Sequence, residues 1–141
     1  MIVVAGFNST LDKYADADEI RAGAVNRLAT VVAYAGGKGV HVAQTIALLG
    51  EPVRLVGIVD DRQAPLFERA LTGRAVDWRG LRISESIRSC YAIRDSRGVI
   101  TEIREPGPHL SEAEVAQLEE AFIDACRGDA HRTCMRAWSS G

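Results

Sequence analysis

The sequence predicts an α/β fold: a parallel sheet covered by helices, with a small separate β-sheet added to it. Three observations lead there. Residues 2–5 (Ile-Val-Val-Ala) and 53–59 are apolar runs without polar alternation, as expected for strands covered on both faces of a parallel sheet. Segments of helical period lie between such runs, giving a β-α-β-α-β order. Two further stretches, residues 11–34 and 88–105, break that rhythm with strand-like pieces and turn residues of their own.

Taken in order, the first strand ends at Gly6. The first interrupting stretch holds strand-like pieces at 25–28 and 30–34. From Lys38, the residues Val42, Ala43, Ile46, Ala47 and Leu49 recur at helical spacing, and Gly50 followed by Pro52 stops the helix. A buried strand over 53–59, a helix containing 66–71 that ends at Gly73, and a strand over 76–81 follow. The pieces 90–94 and 99–104 flank Asp95-Ser96-Arg97-Gly98, a hairpin signal. Ser111 with Glu114 three residues on forms a capping-box pattern, and Leu110 is placed to staple on Val115, so a helix is expected from there to about Arg127. A β-α-β unit then needs another strand, yet residues 128–141 contain no Val, Ile or Leu and read as an unpatterned tail.

Composition narrows the function classes. The chain has 141 residues, 47% hydrophobic and 26% charged, which is one globular domain's worth and excludes a disordered or disulfide-dense class. No apolar run approaches the roughly 20 residues needed to span a bilayer, and no basic segment precedes a signal-like stretch, so a cytoplasmic protein without membrane contact is expected. Seventeen basic residues against nineteen acidic ones, scattered along the chain, argue against nucleic acid as a partner. The three cysteines lack C-x-x-C spacing and are expected as thiols. A metal set of Cys126, His131 and Cys134 lacks an evident fourth ligand, so no metal is expected.

The segment Ala35-Gly36-Gly37-Lys38-Gly39-Val40-His41 carries the most chemistry. A glycine-rich turn opening into a helix lets a ligand approach the backbone, while free N–H groups and the positive helix end suit anions or sugar hydroxyls. It is neither of the common phosphate motifs. A P-loop requires Ser or Thr where this chain has Gly39, and G-x-G-x-x-G requires Gly at Val42. Alone, the segment reads equally well as a simple glycine turn.

In context it gains specificity. Asn8-Ser9-Thr10-Leu11-Asp12, Gly23-Ala24-Val25-Asn26-Arg27, the 35–43 segment, Ile87-Arg88-Ser89 and Glu105-Pro106-Gly107-Pro108 occur in the order and spacing of the ribokinase-like PfkB sugar kinases. From residue 1 to about 127 the chain resembles their hexose-phosphate branch, which includes 1-phosphofructokinases and tagatose-6-phosphate kinases. The resemblance implies the N-terminal part of a three-layer ribokinase-like domain over residues 1–127, with the stretches 11–34 and 88–105 forming a β-sheet lid over the sugar. It further implies that Asp12 holds sugar hydroxyls, that Gly36 and Gly37 lie beneath the sugar, and that Arg88 grips the phosphate already on the substrate. Lys38 either assists at that anion or is solvated.

Departures from the family pattern matter too. His41 stands where the family usually has Asn, Ser9 where it has Pro, and Arg104 where the branch often has Asn. His41 can still hydrogen-bond a hydroxyl but is bulkier and can carry charge. The resemblance implies an ATP- and Mg-dependent kinase acting on a ketohexose phosphate. The family's G-A-G-D motif, which supplies the catalytic base and lies in the second half of longer chains, has no counterpart here, and Gly128-Asp129 is no substitute for it. A truncated, inactive chain that still binds a sugar phosphate is therefore expected, without ATP or Mg of its own and with no catalytic residue. The alternatives are a non-catalytic sugar-phosphate-binding module or decayed fragment, and a purely structural oligomer. Self-association is expected through the lid or through an unpaired edge of the parallel sheet.

Overall fold

A computed structural model describes residues 1–127 and the backbone of Cys134–Arg136. Its strands form two four-stranded sheets. The first consists of β1 (Ile2–Gly6), β4 (Val53–Val59), β5 (Val76–Arg82) and β8 (Cys134–Arg136), in the order β5-β4-β1-β8 and parallel throughout. The second consists of β2 (Thr10–Asp16), β3 (Thr30–Gly36), β6 (Arg88–Arg94) and β7 (Ile100–Arg104), in the order β3-β2-β6-β7. Its two central strands run parallel, and each edge strand pairs antiparallel with its neighbour. The described residues also form three helices: α1 (Lys38–Leu48), α2 (Ala64–Thr72) and α3 (Glu112–Arg127).

The apolar run predicted to be covered on both faces is so. In β4, Leu55, Val56, Ile58 and Val59 are all buried although consecutive strand residues point to opposite faces. Against them pack Val40 and Ala43 of α1, Ala64, Phe67 and Leu71 of α2, and Leu118 and Ala125 of α3. Burying a side chain of the size of Phe67 or Leu55 contributes about 1.5–3 kcal/mol. Phe67 lies 5.7 Å from the Trp78 ring of β5, and Phe7 meets Phe122 of α3 edge-on at 5.4 Å. A second, smaller cluster of Ala15, Ala17 and Ile93, joined by Ile20 and Leu28, covers one face of the second sheet. Among the described residues no helix is long and apolar enough to cross a membrane.

Three expectations need correction. Residues 25–28 are not a strand: Val25 is exposed, and the Asn26 side chain folds the loop onto itself through bonds with both main-chain groups of Arg21 and with the Ala24 carbonyl. The strands of that stretch are β3, which contains the expected piece 30–34, and β2, whose mixed sequence carries no strong period and is held instead by partners on both sides. Finally, the segment after α3 does contribute a strand: Cys134–Arg136 pairs parallel with Val3–Ala5. A ladder of three residues uses main-chain donors and acceptors, so the absence of β-branched residues did not prevent it. The β1 edge, expected to be unpaired, is covered by β8.

The capping box forms as expected. Ser111 donates to Glu114 through both its main-chain N–H and its hydroxyl, at 2.8 Å each, and the Glu114 N–H returns a bond to the hydroxyl. The other Glu114 oxygen accepts the Ser84 N–H at 2.7 Å, tying α3 to the segment after β5. Leu110 packs on the main core while Val115 stays largely exposed. The Ser111 and Ser84 main-chain bonds lower the Glu114 carboxyl from 4.5 to about 2. Because the folded value is depressed, the stabilisation is complete above pH 4.5 and disappears as pH falls through 4.5 toward about 2. Glu114→Gln is expected to lower the thermal midpoint at pH 6, with the gap from wild type closing over that window in a pH series of melting curves.

Candidate functional site

The site is built where helix α1 meets the ends of β1 and β3. At Gly39 a Cβ would lie 2.6 Å from the Gly6 Cα, so the first turn of α1 rests directly on the β1 main chain. Gly37 caps that helix at φ 105°, a conformation that favours glycine, and faces the Asn8 carbonyl and the Ser9 backbone. Ser9, buried, donates its hydroxyl to the Gly6 carbonyl at 3.1 Å and so fixes the chain as it leaves β1.

On β2, the Asp12 carboxylate lies over Gly36, where any Cβ would fall 2.1 Å from its Cγ and Oδ2. The Thr10 hydroxyl donates to Asp12 Oδ1 at 2.5 Å, and His41 Nε2 lies 3.2 Å from Asp12 Oδ2. Helix α1 and strand β2 thereby hold one carboxylate between them. A proton on His41 Nε2 makes this a hydrogen bond, and a doubly protonated ring makes it an ion pair.

Asp12, Gly37, Lys38, His41 and Arg88 line one cavity of about 250 Å³, together with Cys90, Glu102 and Arg104. Five of the six expected site residues thus share the cavity wall, and the sixth, Gly36, lies beneath Asp12. Strand register explains the grouping: Thr10 pairs with Arg88 and Asp12 with Cys90, while Cys90 pairs with Arg104 across the sheet. Alternation places these side chains on one face. Arg104 is engaged by Glu102, and Lys13 by the Tyr91 hydroxyl at 2.9 Å. Arg88 differs, for its Nε is buried and makes no hydrogen bond among the described residues. Lys38 is exposed at the first position of α1. Burial raises the Cys90 thiol above its usual 9.0, with Arg88 opposing and Asp12 adding to the effect, so the wall is a neutral thiol at that point.

Two carboxylates that sequence reasoning did not assign to the site stand behind Arg88. Asp60 accepts the Ile87 N–H at 2.9 Å and Glu105 the Ser89 N–H at 2.7 Å. Glu105 was visible only as part of a motif, and Asp60 only as a polar residue between a strand and a helix, the pattern of an N-terminal cap. Among the described residues no group of three or more His, Cys, Asp or Glu side chains could hold a metal ion. The set Cys126, His131 and Cys134, like Asp129, falls largely or wholly outside the described residues.

Gly36→Ala is expected to leave the main core intact and to push the Asp12 carboxylate aside. The His41 ring resonances should shift as the 3.2 Å contact is lost, while the melting temperature changes little, because Asp12 can rotate away.

Comparison with known proteins agrees with this architecture. The structure of phosphofructokinase-2 from Escherichia coli in complex with fructose-6-phosphate superimposes with a TM-score of 0.84 at 20% identity, covering 96% of this chain and 44% of that one. The tetrameric inhibited form of the same enzyme gives 0.80 at 22% identity, with 87% and 41% coverage. A carbohydrate kinase from Agrobacterium tumefaciens gives 0.70 at 19% identity, with 94% and 44% coverage. The chain thus spans less than half the length of these proteins, and at such identities they establish the fold. Family membership rests on the sequence model of the pfkB family carbohydrate kinases, which matches residues 2–128, and the chain belongs to that family.

Proposed function

We propose that this chain forms the sugar-phosphate end of a phosphofructokinase-like carbohydrate kinase, acting in the cytoplasm on a ketohexose phosphate. One observation carries the reading: a buried guanidinium nitrogen on Arg88, without a partner among the described residues, and an acceptor-only carboxylate on Asp12 line the same cavity of about 250 Å³. A sugar phosphate presents the complementary pair, an anion at one end and hydroxyl donors along the other.

In this reading Asp12 accepts hydrogen bonds from sugar hydroxyls, held in place by Thr10 and His41. Arg88 takes the existing phosphate through its planar fork, and Lys38 adds a point charge. Gly36 leaves room for the Asp12 carboxylate, and Gly37, in the cavity wall, presents main chain to the sugar. His41, in contact with Asp12, either shares a hydroxyl with it or competes for it. PfkB kinases use ATP and Mg. The described residues offer no carboxylate cluster fitted to the metal, so the roles assigned here concern the acceptor sugar alone.

The second sheet also supports self-association. Beyond the site, the face that carries Asp12 continues into Tyr14, Val32, Tyr34 and Ile100, all well exposed, around a shallow depression of about 320 Å³. Exposed apolar side chains grouped on one sheet face suit an interface with a second copy of the chain. The β1 edge is less suited to this, since β8 covers it.

Titration of the labelled chain with fructose 6-phosphate, followed by chemical shifts, tests the reading. Saturable shifts at Gly37, His41 and Cys90 are expected. Arg88→Ala should weaken binding by about 1.5–3 kcal/mol, the value of a charge-assisted hydrogen bond, or about 10–150-fold. Identical titrations for wild type and Arg88→Ala would remove the assignment. Separately, sedimentation at micromolar concentration is expected to show a dimer or larger species for wild type. Val32→Glu should shift it toward monomer with the sugar-phosphate titration unchanged.

A further inference from the structure

Arg88 is gripped from behind. The two main-chain N–H groups flanking it, those of Ile87 and Ser89, each donate to a carboxylate, Asp60 at 2.9 Å and Glu105 at 2.7 Å. The acids come from different parts of the molecule. Asp60 follows β4, is buried, and its other oxygen accepts the N–H groups of Arg62 and Gln63 at the entry to α2. Glu105 follows β7 in the second sheet, and its own N–H returns a 3.0 Å bond to the Ser89 carbonyl. The side chains on either side are anchored as well, since Ile87 and Ser89 are both buried, with Ile87 in the main core.

Neither carboxylate forms an ion pair or side-chain hydrogen bond with the Arg88 guanidinium, so its charge is not consumed by the acids that hold its flanking main chain. A charged acceptor makes shorter and stronger bonds to N–H groups than a neutral one. A long side chain on a mobile main chain would lose much conformational freedom on meeting an anion. With the main chain held on both sides, only the side-chain torsions remain to be fixed. The geometry points to Asp60 and Glu105 as positioning residues for Arg88, jointly setting from the parallel sheet and from the second sheet where its guanidinium meets the anionic group of the ligand. This rests on the sugar-phosphate reading of the cavity for the identity of that anion.

The test uses the full 141-residue chain with Glu105→Ala, Glu105→Gln, Asp60→Asn and Arg88→Ala. Exchange of the Arg88 Nε–H with solvent is read by NMR without ligand, and binding is measured with fructose 6-phosphate and with unphosphorylated fructose. Glu105→Ala is expected to speed Nε–H exchange and to weaken fructose 6-phosphate by about tenfold, the order expected when a charged hydrogen bond is partly misplaced. Fructose affinity should stay put, and Glu105→Gln, which keeps an acceptor oxygen for Ser89, should restore both readouts. In an Arg88→Ala background, Glu105→Ala should have no further effect. If Asp60→Asn fails to fold because the α2 entry is lost, Glu105→Ala decides alone. The inference is overturned if exchange and affinity stay at wild-type values in Glu105→Ala, if fructose and fructose 6-phosphate weaken alike, or if the loss adds in full to that of Arg88→Ala. Should Arg88→Ala itself bind fructose 6-phosphate like wild type, the sugar-phosphate reading fails, while faster Nε–H exchange in Glu105→Ala would still support the positioning role.

Discussion

Everything at the cavity depends on how closely two stretches of main chain approach each other. With Gly39 against Gly6, helix α1 begins on top of the end of β1 rather than beside it. That contact brings the Gly37 turn against the Asn8–Thr10 backbone and sets the height of His41 over Asp12. A side chain at Gly39 would lift the helix, and one at Gly6 would press on Leu55 of β4, in a core whose close packing offers little room to absorb the displacement. The second close approach, Asp12 over Gly36, follows from the first, because β3 leads directly into the same turn.

The parallel sheet was largely legible in the sequence, since buried strands and amphipathic helices leave strong periodic marks, as in 53–59 and 38–49. The Ser111 cap and the Asp95–Gly98 turn were legible for a different reason: each is a local hydrogen-bonding pattern that a few adjacent residues determine. Strand β2 was not. Thr10–Asp16 alternates poorly, and its conformation comes from partners around 20 and 78 residues away along the chain. The apolar look of 25–28 misled because Asn26 satisfies the main chain locally and lets Val25 face solvent.

The candidate site divides in the same way. The glycine-rich turn before α1 stood out by residue type and place, whereas Asp12 and Arg88 stood out only through the resemblance of the segments that hold them. The supporting contacts were not recognisable. Asp60 reaches Ile87 across 27 residues, and Glu105 reaches Ser89 across 16, and neither distance follows from composition or period. Arg104 illustrates an intermediate case: its departure from the family residue was visible, while its pairing with Glu102, two residues away on the same face of β7, emerged only with the structure.

The central pairing of the second sheet also bears on how the molecule comes together in time. Strands β2 and β6 lie parallel and in register, yet residues joined across them, such as Asp16 and Arg94, are 78 positions apart, with a helix-strand-helix-strand run of the other sheet in between. Joining them requires closing a long chain loop, whose entropy must be spent before the new contacts return anything, whereas β4, α2 and β5 are neighbours in sequence. Loop closure alone therefore favours the local pairings, β4 with β5 in one sheet and β2 with β3 and β6 with β7 in the other, over the joining of β2 to β6. Because Asp12 and Arg88 sit on those two strands, the two sides of the cavity meet only once that distant pairing has closed.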